Sequence, residues 1–163
     1  MILTRSNNST VELNGDVITK TFTNPLAFMV EAFAYDFLGG VAAPVTNIDR
    51  KNMIITMPKL LTWREVTLTD DQKYDIALHL IDKLRTMWNA GYVFGDIHMD
   101  NVVLRKQDDG YIPYLIDFEW LHPRISDKFE TDIDIVGFHS VSAFDGSYRS
   151  LKHVLDVTKE DVL

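Results

Sequence analysis

Apolar and polar positions along the chain change their rhythm near residue 60. Residues 11–22 (VELNGDVITKTF) read as two short strands that break at Asn14-Gly15, a dipeptide suited to a tight hairpin turn. Asn24-Pro25 then opens a helix, with Asn as the cap and Pro in the first helical position. That helix runs through LAFMVEAFAYDFL and stops at Gly39-Gly40. Residues 42–49 and 53–57 are expected to be extended, on either side of the polar turn Asp49-Arg50-Lys51-Asn52. Further on, Thr69 and Gln72 have capping-box spacing, and Ala77, Leu80, Ile81, Leu84 and Trp88 recur with helical period until Gly91. A loop (GDIHMDN) follows, then a hairpin of residues 102–104 and 114–118 around a turn at 107–110, and from about Asp132 the chain reads as helical again. A mainly β half therefore precedes a mainly helical half, an order that suggests two lobes with a cleft at the joint.

Composition narrows the partners more than the fold. The 163 residues suit one domain or two small lobes, and 46% hydrophobic residues are enough for a core. A net charge of -8 repels nucleic acid and anionic membranes unless a basic patch intervenes. The longest basic pairs, Arg50-Lys51 and Arg105-Lys106, are too short for one. With no cysteine there is no disulfide, thiolate metal site or cysteine nucleophile. Neither a signal-peptide pattern nor a membrane-spanning apolar run is visible, so a cytoplasmic location is the expectation.

The chemistry is concentrated in residues 95–118, GDIHMDNVVLRKQDDGYIPYLIDF. Phosphoryl transfer requires a carboxylate to orient or deprotonate the acceptor hydroxyl, and oxygen ligands for the metal that neutralises the triphosphate. Asp96 is suited to the first task, Asn101 and Asp117 to the second. Taken in order, Asp96, then Asn101 five positions later, then Asp117-Phe118 after two strand-like segments, this set resembles the protein-kinase-like superfamily. The local form G-D-x-H-x-x-N is similar to the aminoglycoside-phosphotransferase and RIO-type branches. The resemblance implies an α+β, bilobal kinase-like fold in minimal form, with residues 1–57 as N-lobe, 58–61 as hinge and 62–163 as C-lobe.

It further implies an ATP- and Mg²⁺-dependent phosphotransferase, with Asp96 as base and Asn101 and Asp117 as metal ligands. Lys20 would hold the nucleotide phosphates and Glu31 would pair with it, although Asp36 is a second acid on the same helix. Met57 and Lys59 would frame the adenine ring. His98 and Asp132 would brace the catalytic loop. The phosphoryl acceptor, a protein or small-molecule hydroxyl, stays open.

Three departures from the family pattern stand out. Ser6-Asn7-Asn8-Ser9 replaces the glycine-rich loop, so that Ser6 and Asn8 would have to cap a phosphate. Glu119 stands where the glycine after Asp-Phe is usual and adds a third carboxylate near the metal. Fifteen positions separate Asp117 from Asp132, too few for a long activation segment, so an open acceptor groove is expected. The first two departures favour a second reading, a pseudokinase that binds a nucleotide or a partner. A third reading, a metal-dependent hydrolase using His79, His98 and nearby carboxylates, lacks a recognisable helical histidine pair or a tight ligand cluster.

Overall fold

A computed structural model describes residues 1–97 and 99–124. His98, Asp132 and the helical stretch expected from Asp132 lie outside them. The described chain is α+β, with two α-helices and nine strands.

Five strands form one antiparallel sheet: β1 (Ile2–Arg5), β2 (Ser9–Asn14), β3 (Val17–Phe22), β4 (Asn47–Asp49) and β5 (Ile54–Pro58), in the order β1-β2-β3-β5-β4. The β2–β3 hairpin turns at Asp16 and at Gly15, whose φ of +61° is the left-handed conformation such a turn requires. Because strand side chains alternate, Ile18, Lys20 and Phe22 share one face of β3. Helix α1 (Pro25–Phe37) packs on the sheet through Phe28, whose ring meets Phe22 edge-on at 5.5 Å. Its cap is Asn24, whose Oδ1 accepts from the amides of Leu26 and Ala27.

The second half is organised by α2 (Asp70–Asn89), which buries Ile76, Ala77, Leu80, Leu84, Met87 and Trp88. The reciprocal Thr69–Gln72 bonds of a capping box start this helix. Two small antiparallel pairs flank it: β6 (Tyr92–Phe94) with β9 (Leu121–Pro123), and β7 (Val102–Gln107) with β8 (Gly110–Leu115). Pro113 sits inside β8 opposite Leu104 without disrupting the ladder. The amide and carbonyl of Leu104 both bond Leu61 on the other side, so this position needs no donor from residue 113.

The two halves are stitched at the backbone. Ala43 donates to the carbonyl of Leu115, and Leu115 donates to that of Val41. One buried apolar cluster runs through both, from Phe22 and Ile55 to Phe94 and Phe118. Among the described residues, no helix is long and apolar enough to cross a membrane.

The sequence reading and the structure part at several elements. Strand β1 was not expected, nor were the three-residue strands β6 and β9. Of the extended stretch expected over 42–49, only Asn47–Asp49 forms a strand. The second strand of the later hairpin begins at Gly110 and ends at Leu115 rather than spanning 114–118. After it, the chain takes a left-handed step at Asp117 and then a 3₁₀ turn, Phe118–Trp120.

Candidate functional site

A cavity of about 440 Å³ lies where the sheet, α1 and the start of β7 and end of β8 converge. Most of its wall is apolar, with Leu3, Val11, Ile18, Ala43, Met57 and Leu60 among the lining side chains. Its polar end is formed by Lys20, Glu31, Asn101 and Asp117.

Lys20 comes from the inward face of β3 and is 6% exposed. Its Nζ donates to Glu31 Oε2 at 2.7 Å and to Asp117 Oδ1 at 2.8 Å, joining residues 97 positions apart. Burial would lower the lysine's pKa, but the two carboxylates outweigh it and raise the pKa above the ordinary value. Glu31 is fully buried on α1. Desolvation pushes its carboxyl up to about 7 against the attraction of Lys20, and Asp117 adds to the rise. Asp36, the other acid on the helix, is exposed and pairs with Arg50. The choice the sequence left between Glu31 and Asp36 is therefore made by which side of α1 meets the sheet.

Asn101 ends the 3₁₀ turn Met99–Asn101 and is buried. Its Nδ2 donates to both the carbonyl and Oδ2 of Asp96, each at 2.9 Å, and its own carbonyl accepts from Ile116. These bonds tie the Asp96 loop to the end of β8, one residue before Asp117. Asp117 has φ +64° and ψ +67°, a conformation that costs a non-glycine residue about 1–2 kcal/mol. Such strain persists only where its surroundings hold it, here Lys20 on the side chain and buried Phe118 on the following residue.

The remaining sequence candidates fall in different places. Met57 lies in β5 opposite Ile18 and lines the cavity. Lys59 lines it too, but its Nζ bonds Glu65 Oε1 at 2.5 Å and its amide donates to the carbonyl of Asp16. Lys59, with the backbone and hydroxyl of Thr62, holds the Glu65 carboxyl down at about 2.

Ser6 and Asn8 do not line the cavity. Ser6 Oγ accepts from the amides of Asn8 and Ser9 and closes the β1–β2 turn. Asn8 donates to Glu119 Oε2 at 2.9 Å and accepts from Asn24. His79 is exposed on α2. Among the described residues, the side chains close enough to share a cation are Glu31, Asp117 and Glu119, whose nearest oxygens lie within 4.8 Å of one another.

Several polar residues lining the cavity escaped the sequence reading, Thr4, Thr62, Asp100 and Tyr35 among them. Tyr35 follows Glu31 by four positions, which places both on one face of α1. It is buried against Phe118, with ring centroids 5.6 Å apart. Burial, then the charges of Glu31 and Asp117, push its phenol well above the usual range. Four-residue spacing from a candidate acid was the available signal, and Phe and Tyr at such positions ordinarily read as core.

Gly95, directly before Asp96, permits a close backbone approach. Its amide donates to the carbonyl of Trp120 at 2.8 Å, and a Cβ here would stand 2.9 Å from that same oxygen. Gly95→Ala is therefore expected to force the β6–β9 pair apart and lower stability by about 1–3 kcal/mol. A urea-unfolding midpoint equal to that of the wild type would refute this. No protein family and no curated protein matches the chain.

Proposed function

We propose that the chain is a magnesium- and ATP-dependent phosphotransferase of the protein-kinase-like kind. In this reading the five-stranded sheet with α1 is the smaller lobe, residues 58–61 are the hinge, and α2 with the two small strand pairs begins the larger lobe. The observation that carries it is Lys20 Nζ, held between Glu31 and Asp117 at the polar end of an otherwise apolar cavity. A lysine so placed meets phosphate oxygens, and apolar walls suit a purine ring.

The residues present fit Mg-ATP. A volume of about 440 Å³ is within the range of small-molecule sites. The donor set is oxygen-rich, as magnesium requires. Asn101 commits its Nδ2 to Asp96, leaving Oδ1 as a ligand, and Asp117 commits Oδ1 to Lys20, leaving Oδ2. Glu119 is a further carboxylate near Asp117 and Glu31. Bound Mg-ATP would supply an activated γ-phosphoryl group whose charge the metal partly neutralises. The chain's own part is to orient and to move one proton. Asp96, steadied by Asn101, would align the acceptor hydroxyl and take its proton as the acceptor oxygen bonds to the γ-phosphorus and the bond from that phosphorus to the bridging oxygen breaks, releasing ADP. Lys20 would fix the phosphates, and Glu31 would hold Lys20 in place.

The contact between Asn8 and Glu119 favours a second reading, a regulator that binds nucleotide or a partner without turnover. It ties the glycine-free β1–β2 turn to the segment just after Asp117 and occupies both side chains. Calorimetric titration with Mg-ATP and incubation with γ-labelled ATP separate the two. The expected result is magnesium-dependent binding, label transfer or phosphate release, and loss of that binding in Asp117→Asn. Binding without any release supports the regulator. A wild-type chain that ignores nucleotide whether or not magnesium is present ends the phosphotransferase reading and leaves of the second only a regulator that binds a partner.

A further inference from the structure

Helix α1 is apolar on both of its sides. Its inward face carries Phe28, Ala32 and Tyr35 into the core, together with Glu31. On the outward face Leu26 is 69% exposed, Met29 64%, Phe37 55% and Phe33 39%. Leu26, Val30, Phe33 and Phe37 follow one another at intervals of four, three and four, the spacing of a continuous stripe. Asp36 is the one charged side chain of that face, and Arg50 already pairs with it. A helix that is hydrophobic all round is one that is buried all round, because an unpartnered apolar stripe of this length is costly in water.

The stripe extends onto the second half of the molecule. Phe33 and Phe37 stack at 5.2 Å, and Tyr92 of β6 meets them at 5.4 and 5.8 Å. A groove of about 550 Å³ runs alongside, between Met29, Phe33 and Met53. Tyr92 is the register partner of Pro123, and the next residue, Arg124, donates its amide to the carbonyl of Gly91. The last described residues thus lie at the rim of the exposed stripe. The sequence that continues from there, 125–163, includes the apolar residues Ile133, Ile135, Val136, Phe138, Leu151 and Leu155.

We propose that this stripe is a docking surface whose occupant is the chain's own segment 125–163, laid across Leu26, Met29, Phe33 and Phe37. Two observations select this occupant over a second copy. Attachment one strand pair from the stripe gives the segment an effective concentration on the order of millimolar, which a free copy does not reach. Two copies, each with a net charge of -8, also repel one another. Because α1 carries Glu31 to Lys20, the docked segment would also steady that ion pair.

The full-length chain tests this, with Phe37→benzoylphenylalanine irradiated at high dilution and the adducts mapped by mass. The expected product is a single-chain adduct joining position 37 to a peptide within 125–163. Adducts between two chains, or none to that segment, overturn the proposal. A second measurement avoids the photoprobe: limited trypsin cleavage at Lys152 and Lys159 should rise about tenfold or more in Phe33→Glu, which places a charge in the stripe. Equal cleavage in wild type and variant overturns it as well.

Discussion

Asp96→Asn is expected to lower phosphoryl transfer by about 10²–10⁴ while leaving Mg-ATP affinity near the wild-type value. The substitution preserves size and a side-chain oxygen that can still accept from Asn101 Nδ2, so the loop keeps its tie to the end of β8. What disappears is a carboxylate able to take a proton from an acceptor hydroxyl. Asn101 and Asp117, the oxygen donors assigned to the metal, are untouched. Single-turnover transfer of γ-labelled phosphate, measured beside nucleotide binding in one preparation, makes the comparison. Equal rates in wild type and Asp96→Asn would remove Asp96 from the chemistry, and parallel losses of binding and rate would recast it as a positioning residue.

Lys20→Met is expected to destabilise the chain by about 3–5 kcal/mol near neutral pH, because it strips the cation from a buried pair and leaves Glu31 facing Asp117. The pH dependence has a definite sign. Glu31 holds its proton up to about 7 in the folded chain, against 4.5 as its ordinary value. Between those pH values the unfolded chain gives up the proton before the folded one does. The contribution of Glu31 therefore makes the wild type less stable as pH rises through that window, by on the order of 3 kcal/mol. Removing Lys20 takes away the attraction that limits this rise.

Urea unfolding should accordingly show a larger cost for Lys20→Met at pH 8 than at pH 5, and Lys20→Met/Glu31→Gln should recover much of it. Lys20 itself, with its pKa raised by the two carboxylates, contributes stability that is present below its ordinary value of 10.5 and lost above it. That loss lies outside the range compared. A cost independent of pH, or a double variant no better than the single one, would contradict this account.

Local grammar was legible along the chain. The cap at Asn24-Pro25 and the Thr69–Gln72 box are each written within four residues and stand where they were expected. The hairpin turn falls one position later than expected, at Gly15-Asp16, with Asn14 closing β2 opposite Val17. Strand β1 was not legible, because its four residues are all exposed and it is held by backbone pairing to β2 rather than by a buried face. Strands β6 and β9 are three residues each, too short for a period-two pattern, and their pairing partners are about thirty positions apart.

The site followed the same division. Residue type and order nominated Asp96, Asn101 and Asp117, and the kinase-like resemblance they carry added Lys20 and its partner Glu31, with Asp36 as a second acid on the same helix. Only the tertiary structure decided between them. Successive residues of a helix turn by about 100°, so acids five positions apart face different sides, and the sheet occupies one of those sides. Glu31 met Lys20 in the core, while Asp36 met Arg50 in solvent. Ser6 and Asn8 diverged for a related reason: a hydrogen-bonding side chain in a turn takes the nearest partner, and for Asn8 that partner is Glu119, brought from 111 positions away by the fold. Sequence determined which residues were chemically able to form the site, through propensities and side-chain types that act over a few positions. Which of them meet was decided by packing, since burial of one face of α1 and of β3 sets the direction of every side chain they carry.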